Sequence, residues 1–285
     1  MNGRYLVTGA SGMLGHDIQL ALTGRDVTAL DRRQLDVTDP DAVNLAVEGH
    51  DVVINCAAYT KVDDAEEHED AALAINATGA ANLAEAAANN GAKLVHISTD
   101  YVFDGTATTP YSEDAPTNPV SAYGRTKAEG ERLVLKYGPP STYIVRTAWL
   151  YGAHGPNFAK TMVRLARQTE TVNVVDDQLG QPTWTADVAR QIVLALDQNL
   201  SPGIYHATNS GQASWFEFAK AVFEVAGLDP NRVKPTTSDQ FVRPAPRPAY
   251  SVLGHDHWNQ AGLPPLRDWR LALIEASQRG LFDQA

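Results

Sequence analysis

Two residues that could exchange a proton with a substrate, Tyr123 and Lys127, lie four positions apart in the middle of the chain. On a helix of 3.6 residues per turn, this spacing places both side chains on one face, one turn apart. A tyrosine and an ammonium group that point into a crevice form a unit that can transfer a proton. The pattern is weak by itself, because a helix with a surface tyrosine and lysine would also show it. The preceding elements therefore decide its meaning.

A strongly apolar run at residues 94–97 precedes Ser98 and Thr99. Runs of this kind are typical of strands that are buried on both faces of a parallel sheet. We therefore expect Ser98 and Thr99 at the carboxyl end of a buried strand. Ligands of such sheets bind beyond the carboxyl ends of the strands, so the two hydroxyl groups would border the binding crevice.

Near the N-terminus, a short apolar run at residues 4–8 leads into Gly9, Gly12 and Gly15. Apolar residues then recur every fourth position, which indicates a helix with one buried face. Strand, glycine turn and helix form the context of a dinucleotide-binding fingerprint. Gly9 would allow the tight turn, Gly12 the approach of backbone to the pyrophosphate, and Gly15 the close packing of helix on strand. The amides at the start of the helix would then bind the phosphates.

The end of the second predicted strand carries residues that could select the cofactor. Asp31 lies near the expected distance beyond the glycines for binding the adenosine ribose, and it favours NAD. Arg32 and Arg33 could instead accommodate the 2′-phosphate of NADP, so both cofactors remain candidates. Asp36 and Val37 follow and could lie against the adenine. Solvation of Asp36 in a loop is an equally good interpretation.

A third buried strand is predicted at residues 51–56, and the small residues at its end, within residues 57–60, would let the chain lie against a dinucleotide. The acidic run at residues 63–70 is interpreted as a solvated helix start, because acidic side chains complement the helix dipole there. An alanine-rich helix is predicted at residues 71–90.

Strands and helices thus alternate through the first half of the chain, and the strands lack a polar face. This pattern predicts an α/β protein with a Rossmann-type, doubly wound parallel sheet. The glycine turn, residues 57–60 and residues 98–100 all follow strands, so they converge on one crevice. Tyr123 begins the helix after the next loop. The convergence favours the functional interpretation of Tyr123 and Lys127.

Composition limits the possible partners and compartments. The 285 residues include 23 basic and 34 acidic side chains, and the net charge of −11 repels the backbone of nucleic acids. Cys56 is the only cysteine, which excludes an intramolecular disulfide and a cysteine-cluster metal site. A secretory leader and an apolar run of about 18 residues are both absent, so we expect a cytoplasmic protein without a membrane segment.

Five motifs resemble those of the extended short-chain dehydrogenase/reductase family. They lie at residues 8–15, 55–63, 98–105, 123–127 and 146–152, so the resemblance covers nearly the whole chain. The run Ser98-Thr-Asp-Tyr-Val-Phe-Asp-Gly105 is most similar to the dTDP-4-dehydrorhamnose reductase subfamily. Sugar epimerases and dehydratases of the wider family usually carry a different run before the tyrosine.

The resemblance implies reduction, by NADPH or NADH, of the C4 ketone of dTDP-4-dehydro-6-deoxy-L-mannose to dTDP-L-rhamnose. It also implies a catalytic set of Thr99, Tyr123 and Lys127. Thr99 would hydrogen-bond the ketone oxygen, and Tyr123 would donate the proton. Lys127 would lower the pKa of Tyr123 from its ordinary value of about 10 and would bond the nicotinamide ribose.

Two sets of binding residues are predicted from these arguments together. The residues predicted at the cofactor are Gly9, Ser11, Gly12, Met13, Leu14, Gly15, Asp31, Arg32, Asp36, Val37, Ala57, Ala58, Tyr59, Thr60, Tyr123 and Lys127. The residues predicted at the dTDP-4-keto-6-deoxy sugar are Thr99, Asp100, Tyr123, Trp149 and Arg247. No metal ligands are predicted.

Arg247 is chosen from a proline-stiffened loop that also contains Arg243. Arginine binds phosphate through two parallel hydrogen bonds, so the loop could hold the diphosphate of a nucleotide sugar. Arg247 is preferred because its Arg-Pro-x-x-Ser context matches the family. A surface loop with solvated arginines is the alternative.

The predicted domains are an NAD(P)-binding domain at residues 1–150, with returning segments near 172–198, and a smaller, discontinuous substrate-binding lobe. The lobe comprises mainly residues 151–171 and 199–285. A monomer or a homodimer is expected. Two other functions remain open: reduction of another dTDP-4-keto-6-deoxyhexose, as in a dTDP-dihydrostreptose synthase, and a non-catalytic, NADP-binding regulatory role.

Overall fold

Six parallel strands form the central sheet of the chain, which a computed structural model describes from residue 3 to residue 283. The central sheet contains β1 (Arg4–Thr8), β2 (Asp26–Leu30), β3 (Val52–Asn55), β4 (Lys93–Thr99), β5 (Thr142–Thr147) and β10 (Gly203–His206). The shorter sheets contain β6 (Leu150–Tyr151), β7 (Val172–Val175), β8 (Leu179–Gly180), β9 (Thr183–Trp184), β11 (Ala213–Ser214) and β12 (Val233–Thr236). The helices are α1 (Met13–Ala21), α2 (Pro40–Val47), α3 (Glu69–Leu73), α4 (Ala80–Asn89), α5 (Ala122–Tyr137), α6 (Phe158–Gln168), α7 (Thr185–Asp197), α8 (Trp215–Val225), α9 (Asp256–Gln260) and α10 (Trp269–Gln278). In this described part of the chain, no helix has both the length and the apolar character needed to cross a membrane.

The strand order of the central sheet is β10-β5-β4-β3-β1-β2, and every neighbouring pair is parallel. The chain adds β2 on one side of β1 and then crosses to add β3 on the other side. This reversal is a topological switch point, beside which ligands bind in open α/β sheets. The predicted Rossmann-type, doubly wound parallel sheet is confirmed.

Alternate strand residues pack on opposite faces of this sheet. Tyr5 and Val7 of β1 contact one core cluster together with α1, α7 and α9. Leu6, between them, belongs to a second cluster with α2, α4 and α5. Because helices cover both faces, the strands are apolar at nearly every position, and this explains why they show no polar alternation.

A third core cluster lies in the second half of the chain, where α6, α8 and α10 pack around β7 and β12. The strand pairing differs from the predicted domain boundaries at two places. β7 pairs with β12 in this cluster, whereas residues 172–175 are predicted to return to the first domain. β10 pairs with β5 and completes the central sheet, whereas residues 203–206 are predicted in the smaller lobe. The division into a cofactor domain and a substrate lobe otherwise stays a prediction.

Two helices begin where their sequences indicate. The Asp39 carboxylate accepts hydrogen bonds from two amides in the first turn of α2, and Pro40 occupies that turn. The Ser121 hydroxyl accepts a hydrogen bond from an amide in the first turn of α5 at 3.1 Å. Because the chain reaches α5 from the carboxyl end of β4, Tyr123 and Lys127 lie in the turns nearest the crevice.

The alanine-rich run at residues 71–90 is divided rather than a single regular helix. A wide turn, Ala74–Gly79, joins α3 to α4, and its hydrogen bonds span one residue more than those of an α-helix. Wide turns of this kind are frequent at functional sites. This one carries Asn76, which is buried.

Candidate active site

Three strand ends bring most of the predicted site residues to one edge of the sheet. β1 ends at Thr8, β3 at Asn55 and β4 at Thr99, and the three strands are parallel neighbours. The glycine turn, the loop after β3 and Thr99 therefore border one crevice at the switch point. Within residues 3–283, no group of three or more His, Cys, Asp or Glu side chains is placed to hold a metal ion.

The turn between β1 and α1 requires glycine at two positions. Gly9 has a φ of +65°, in the left-handed region, and an added Cβ would lie 2.6 Å from the amide nitrogen of Ala57. A Cβ on Gly15 would lie 2.5 Å from the carbonyl oxygen of Gly9. Glycine thus lets β1, the loop after β3 and α1 approach one another. α1 begins at Met13 without a side-chain cap, so its first amides fit the pyrophosphate of a dinucleotide.

The other predicted residues of this turn differ in their exposure. Ser11 is exposed and Met13 is half-buried. The Leu14 side chain packs in the core with α7, so a contact with a cofactor would involve its backbone amide. Gly12 precedes the helix in extended backbone, and its amide donates to the Gly9 carbonyl at 2.9 Å.

Both acidic residues predicted at the adenosine stabilise their own turns. Asp31 Oδ1 accepts hydrogen bonds from the amides two and three positions further on, at 2.8 and 3.3 Å. Asp36 Oδ1 accepts from the hydroxyl and the amide of Thr38, and these bonds lower the pKa of its carboxyl. Arg32 is exposed, whereas Val37 is buried beside α2 and α4. One oxygen of each carboxylate is therefore already in use, and their roles at a cofactor stay predictions.

The loop after β3, with the predicted cofactor contacts at residues 57–60, is held by a residue outside it. Asn76 accepts a hydrogen bond from the Tyr59 amide at 2.8 Å and donates to the Tyr59 carbonyl at 3.2 Å. It also donates to the Thr126 hydroxyl at 3.1 Å. Asn76 was not selected from the sequence. The one feature of the sequence that could have indicated a role for Asn76 is its position: asparagine is a weak helix former, and it lies inside an alanine-rich helix.

Thr99 and Tyr123 meet at the end of β4. The Thr99 hydroxyl lies beside the Tyr123 phenol and donates to the Asp100 carboxylate at 2.9 Å. Burial raises the pKa of Tyr123 to about 12, and the nearby Thr99 hydroxyl offsets only part of the rise. Tyr123 is therefore protonated at neutral pH, which is the form that a general acid requires.

Asp100 is buried beside this pair. Burial raises the pKa of its carboxyl to about 6, and the nearby hydroxyls of Ser251 and Thr99 offset part of the rise. Within residues 3–283, no well-formed hydrogen bond reaches its Oδ2 atom. A buried polar atom without a partner costs roughly 1–3 kcal/mol. This oxygen can accept a hydrogen bond from a ligand hydroxyl, which fits the predicted place of Asp100 at the sugar.

The Lys127 side chain is buried beneath the site. Its Nζ atom donates to the Ile97 carbonyl at 2.6 Å and lies 3.4 Å from His96 Nε2. Burial lowers the pKa of Lys127 to about 8. The expected lowering of the Tyr123 pKa is not found, because burial of the phenol dominates and the amine hydrogen-bonds the strand carbonyl instead.

Trp149 follows β5 in a strained backbone conformation. Its φ is +47°, which residues other than glycine rarely adopt. Its ring stacks on Trp215 of α8 with the ring centroids 3.6 Å apart. A Cβ on Gly180 would lie 2.5 Å from the same ring, so glycine makes room for it. Strain of this kind is concentrated at functional sites. Trp215 is a second aromatic residue at this place.

Arg247 lies close to Tyr123 through Tyr101. Its guanidinium is 5.9 Å from the centre of the Tyr101 ring, and Tyr101 in turn makes an edge contact with Tyr123. Arg247 Nη2 donates to Asp63 at 2.9 Å. Its Nη1 atom is buried without a hydrogen-bond partner among the described residues, and it can therefore donate to a phosphate oxygen.

Asp63 joins the loop that contains Arg243 and Arg247, here called the arginine loop, to the loop after β3. It accepts hydrogen bonds from Arg247, from Arg243 Nε at 3.0 Å and from the Ala245 amide at 3.3 Å. Burial alone would raise the pKa of its carboxyl, but the Arg243 and Ala245 hydrogen bonds and the Arg247 charge lower it. The interpretation of residues 63–70 as a solvated helix start is therefore wrong for Asp63. Its partners are too distant in sequence to be predicted.

Known proteins share both the sequence and the fold of this chain. A family model described as RmlD substrate binding domain matches residues 3–281. A dTDP-4-keto-6-deoxy-D-glucose reductase from Streptomyces niveus is 50% identical over 280 residues, which cover 97% of each protein. A dTDP-4-dehydrorhamnose reductase from Streptomyces griseus is 53% identical over 281 residues, or 96% of this chain and 92% of the relative.

The structural comparison agrees with the sequence comparison. A dTDP-4-dehydrorhamnose reductase from Bacillus anthracis, solved in complex with NADP, has a TM-score of 0.94 and 41% identity, covering 98% of this chain and 100% of the other. A dTDP-4-dehydrorhamnose reductase from Clostridium acetobutylicum has the same TM-score of 0.94 at 45% identity, covering 97% of this chain and 99% of the other. The chain therefore belongs to the RmlD substrate binding domain family, within the dTDP-4-dehydrorhamnose reductase subfamily of the extended short-chain dehydrogenases/reductases.

Proposed function

We propose that the protein is an NAD(P)H-dependent ketoreductase that converts dTDP-4-dehydro-6-deoxy-L-mannose, also called dTDP-4-dehydrorhamnose, to dTDP-L-rhamnose. The observation that carries the proposal is the Thr99 hydroxyl beside the Tyr123 phenol, in a crevice that they share with a glycine turn that fits a dinucleotide. The relatives named dTDP-4-dehydrorhamnose reductase support the substrate, and the NADP complex of one of them supports the cofactor.

Tyr123 is the general acid of this reaction. When bound, the nicotinamide cofactor supplies the hydride that C4 of the sugar receives. The Thr99 hydroxyl, which donates to Asp100 in this structure, rotates to donate to the ketone oxygen. It holds that oxygen near the Tyr123 phenol, which donates its proton as negative charge develops on the oxygen. Because burial raises the pKa of Tyr123 to about 12, the phenol keeps its proton at neutral pH until the oxygen accepts it.

The cofactor is held by the glycine turn and the adjacent loop. The uncapped first amides of α1 would bind the pyrophosphate, and residues 57–60 would lie along the dinucleotide, where Asn76 fixes the backbone of Tyr59. Asp31 and Arg32 lie at the end of β2 where the adenosine ribose would bind. NADPH and NADH both fit this set of residues.

The sugar nucleotide is held by groups on the other side of Tyr123. The Oδ2 atom of Asp100 accepts a hydrogen bond from a sugar hydroxyl, and the stacked ring of Trp149 provides a flat apolar surface for the sugar. The unpaired Nη1 atom of Arg247 donates to the diphosphate. The cytoplasmic location and the monomeric or homodimeric state stay predictions.

Reduction of a different dTDP-4-keto-6-deoxy sugar is the second candidate function. The relative from Streptomyces niveus is named dTDP-4-keto-6-deoxy-D-glucose reductase. Thr99 and Tyr123 act on the ketone oxygen, so they would serve either sugar. A regulatory role without catalysis is less well supported, because Thr99 and Tyr123 are in contact and Lys127 lies below them.

A panel of dTDP-4-keto-6-deoxy sugars would decide among these functions. We expect NADPH oxidation to be fastest with dTDP-4-dehydrorhamnose. Turnover only with other ketosugars would move the assignment to the second candidate. Cofactor binding without turnover of any ketosugar would instead support the regulatory role.

A further inference from the structure

Beneath the candidate active site, four buried polar side chains form a continuous series of contacts: Thr8, Asn55, His96 and Lys127. The first three lie on the neighbouring strands β1, β3 and β4, and Lys127 reaches them from α5. Only Lys127 has a role in the predicted catalytic set. Buried polar groups are nearly always hydrogen-bonded, so the direction of each bond can be worked out from its partners.

A backbone group fixes the orientation of the Asn55 amide. Asn55 Oδ1 lies 3.0 Å from the Ala57 amide nitrogen and 2.8 Å from the Thr8 hydroxyl. A backbone amide can only donate, so the Asn55 atom that faces it must be the oxygen. The opposite side of the Asn55 amide is then its NH₂ group, which lies 3.1 Å from His96 Nδ1.

The orientation of Asn55 determines which ring nitrogen of His96 carries the proton. An NH₂ group can only donate, so His96 Nδ1 must accept and cannot carry a hydrogen. Burial lowers the pKa of His96 well below its usual value, and the ring is therefore neutral. Its single N–H is then on Nε2, which lies 3.4 Å from Lys127 Nζ.

An N–H that faces Lys127 favours the neutral amine over the ammonium. An ammonium group has only donors and opposes the Nε2–H of His96, whereas a neutral amine has a lone pair that can accept from it. A different hydrogen of Lys127 bonds the Ile97 carbonyl. Two other titratable groups face the lysine, the Glu131 carboxyl and the Cys56 thiol, and both raise its pKa. Burial outweighs them and lowers the pKa to about 8.

We infer that His96 is a positioning residue of the proposed reductase: Asn55 fixes its tautomer, and its Nε2–H helps Lys127 to return a proton to Tyr123 after each reduction. This inference rests on the proposed function. Tyr123 loses its phenolic proton to the ketone oxygen and becomes a phenolate. Lys127, one helical turn away, gives a proton back and becomes a neutral amine, which the Nε2–H of His96 stabilises. Solvent then restores the proton of Lys127.

The tautomer can be measured without any substrate, by ¹⁵N NMR of the histidine rings in the ligand-free protein. His96 is identified by comparison with His96→Gln. We expect a neutral ring with hydrogen on Nε2 and none on Nδ1 between about pH 6 and 8. Asn55→Asp offers Nδ1 an acceptor and is expected to move the ring hydrogen to Nδ1. A charged ring, or hydrogen on Nδ1 in the unmodified protein, would overturn the inference.

The pH dependence of kcat tests the effect on Lys127, because the lysine acts after the reduction. In the wild-type protein, activity should fall above the lysine pKa of about 8. In His96→Gln, the glutamine oxygen can face the ammonium, so we expect this basic limb to move up by roughly one pH unit. His50→Gln, at the amino end of β3, serves as the matched control and should leave the limb in place.

A merely structural role for His96 would lower kcat at every pH without moving the basic limb, and that result would overturn the inference. If no ketosugar is turned over, the proposed function fails. The NMR measurement still decides the tautomer of His96 in that case, so the two failures can be told apart.

Discussion

The proposed chemistry depends on how burial changes the acidity of individual residues. Tyr123 loses solvent around its phenol, and burial raises its pKa to about 12. The same desolvation acts on Lys127 in the opposite direction, because the charged form of a lysine is the protonated one, and its pKa falls to about 8. At neutral pH both groups therefore carry their protons. Tyr123 can donate to a ketone oxygen, and Lys127 can replace the proton that Tyr123 has lost.

Replacement of Tyr123 by phenylalanine removes the proton donor and keeps the ring that packs on Tyr101. A positioned general acid contributes roughly 10²–10⁴-fold to rate, so we expect kcat for the ketosugar to fall by about that factor. Cofactor affinity, measured by fluorescence titration, should change little. A Tyr123→Phe enzyme with wild-type kcat would exclude Tyr123 as the acid.

Residue identities in this site were predictable where local spacing carries the signal. The spacing of Tyr123 and Lys127 is one such pattern, and the apolar run before Thr99 is another. Each of the two patterns is contained within a few consecutive residues. Asn76 and Asp63 were not predictable, because their partners lie far away in the chain. Asp63 bonds Arg243 and Arg247 across 180 and 184 residues. Such contacts exist only after the chain has folded.

At the scale of elements, the turn from β1 to α1 determines whether a dinucleotide can approach. Gly9 and Gly15 are in close contact, since a Cβ on Gly15 would lie 2.5 Å from the Gly9 carbonyl oxygen. The same packing places the uncapped start of α1 beside the loop after β3. The glycine spacing predicted the position of this turn, and the close approach supplies its physical reason.

Substitution of Gly15 by alanine should therefore destabilise the protein. Overpacking of this kind typically costs 1–3 kcal/mol, and we expect a loss of about that size in the free energy of unfolding, measured by urea denaturation. Gly12→Ala is the matched control, because its Cβ would lie 3.1 Å from the same oxygen, where a small shift suffices. Equal stability of Gly15→Ala and wild type would show that the turn can relax.

Element types were more predictable than element pairing. Hydrophobic periodicity predicted the strands and helices of the first half, because each pattern is local. The pairing of β7 with β12 and of β10 with β5 joins segments far apart in the chain, and no local pattern indicates it. The wide turn Ala74–Gly79 also lacks a local signal, apart from Asn76 within the alanine-rich run.

For the molecule as a whole, Asp63 connects the cofactor side of the site to the arginine loop. Its carboxylate hydrogen-bonds two arginines and a backbone amide of that loop. It therefore positions Arg247, the residue proposed to bind the diphosphate. The protein is strongly acidic, with a net charge of −11, so local basic side chains are needed to attract an anionic substrate.

Asp63→Asn would keep the shape of this connection and remove its charge. Partly exposed ion pairs contribute about 0.5–1 kcal/mol, so we expect KM for the ketosugar to rise roughly 2–5-fold with kcat nearly unchanged. Glu67→Gln removes the same charge from an exposed residue nearby and should leave KM unchanged. An equal rise in KM for both variants would indicate a general effect of charge instead of the positioning of Arg247.

The most direct measurement of the central claim follows the hydride. The protein is incubated with dTDP-4-dehydrorhamnose and NADPH that carries deuterium at its transferable position, and the product is analysed by NMR. The proposed function predicts dTDP-L-rhamnose with deuterium at C4. Unconsumed cofactor, or a product with ordinary hydrogen at C4, would contradict it.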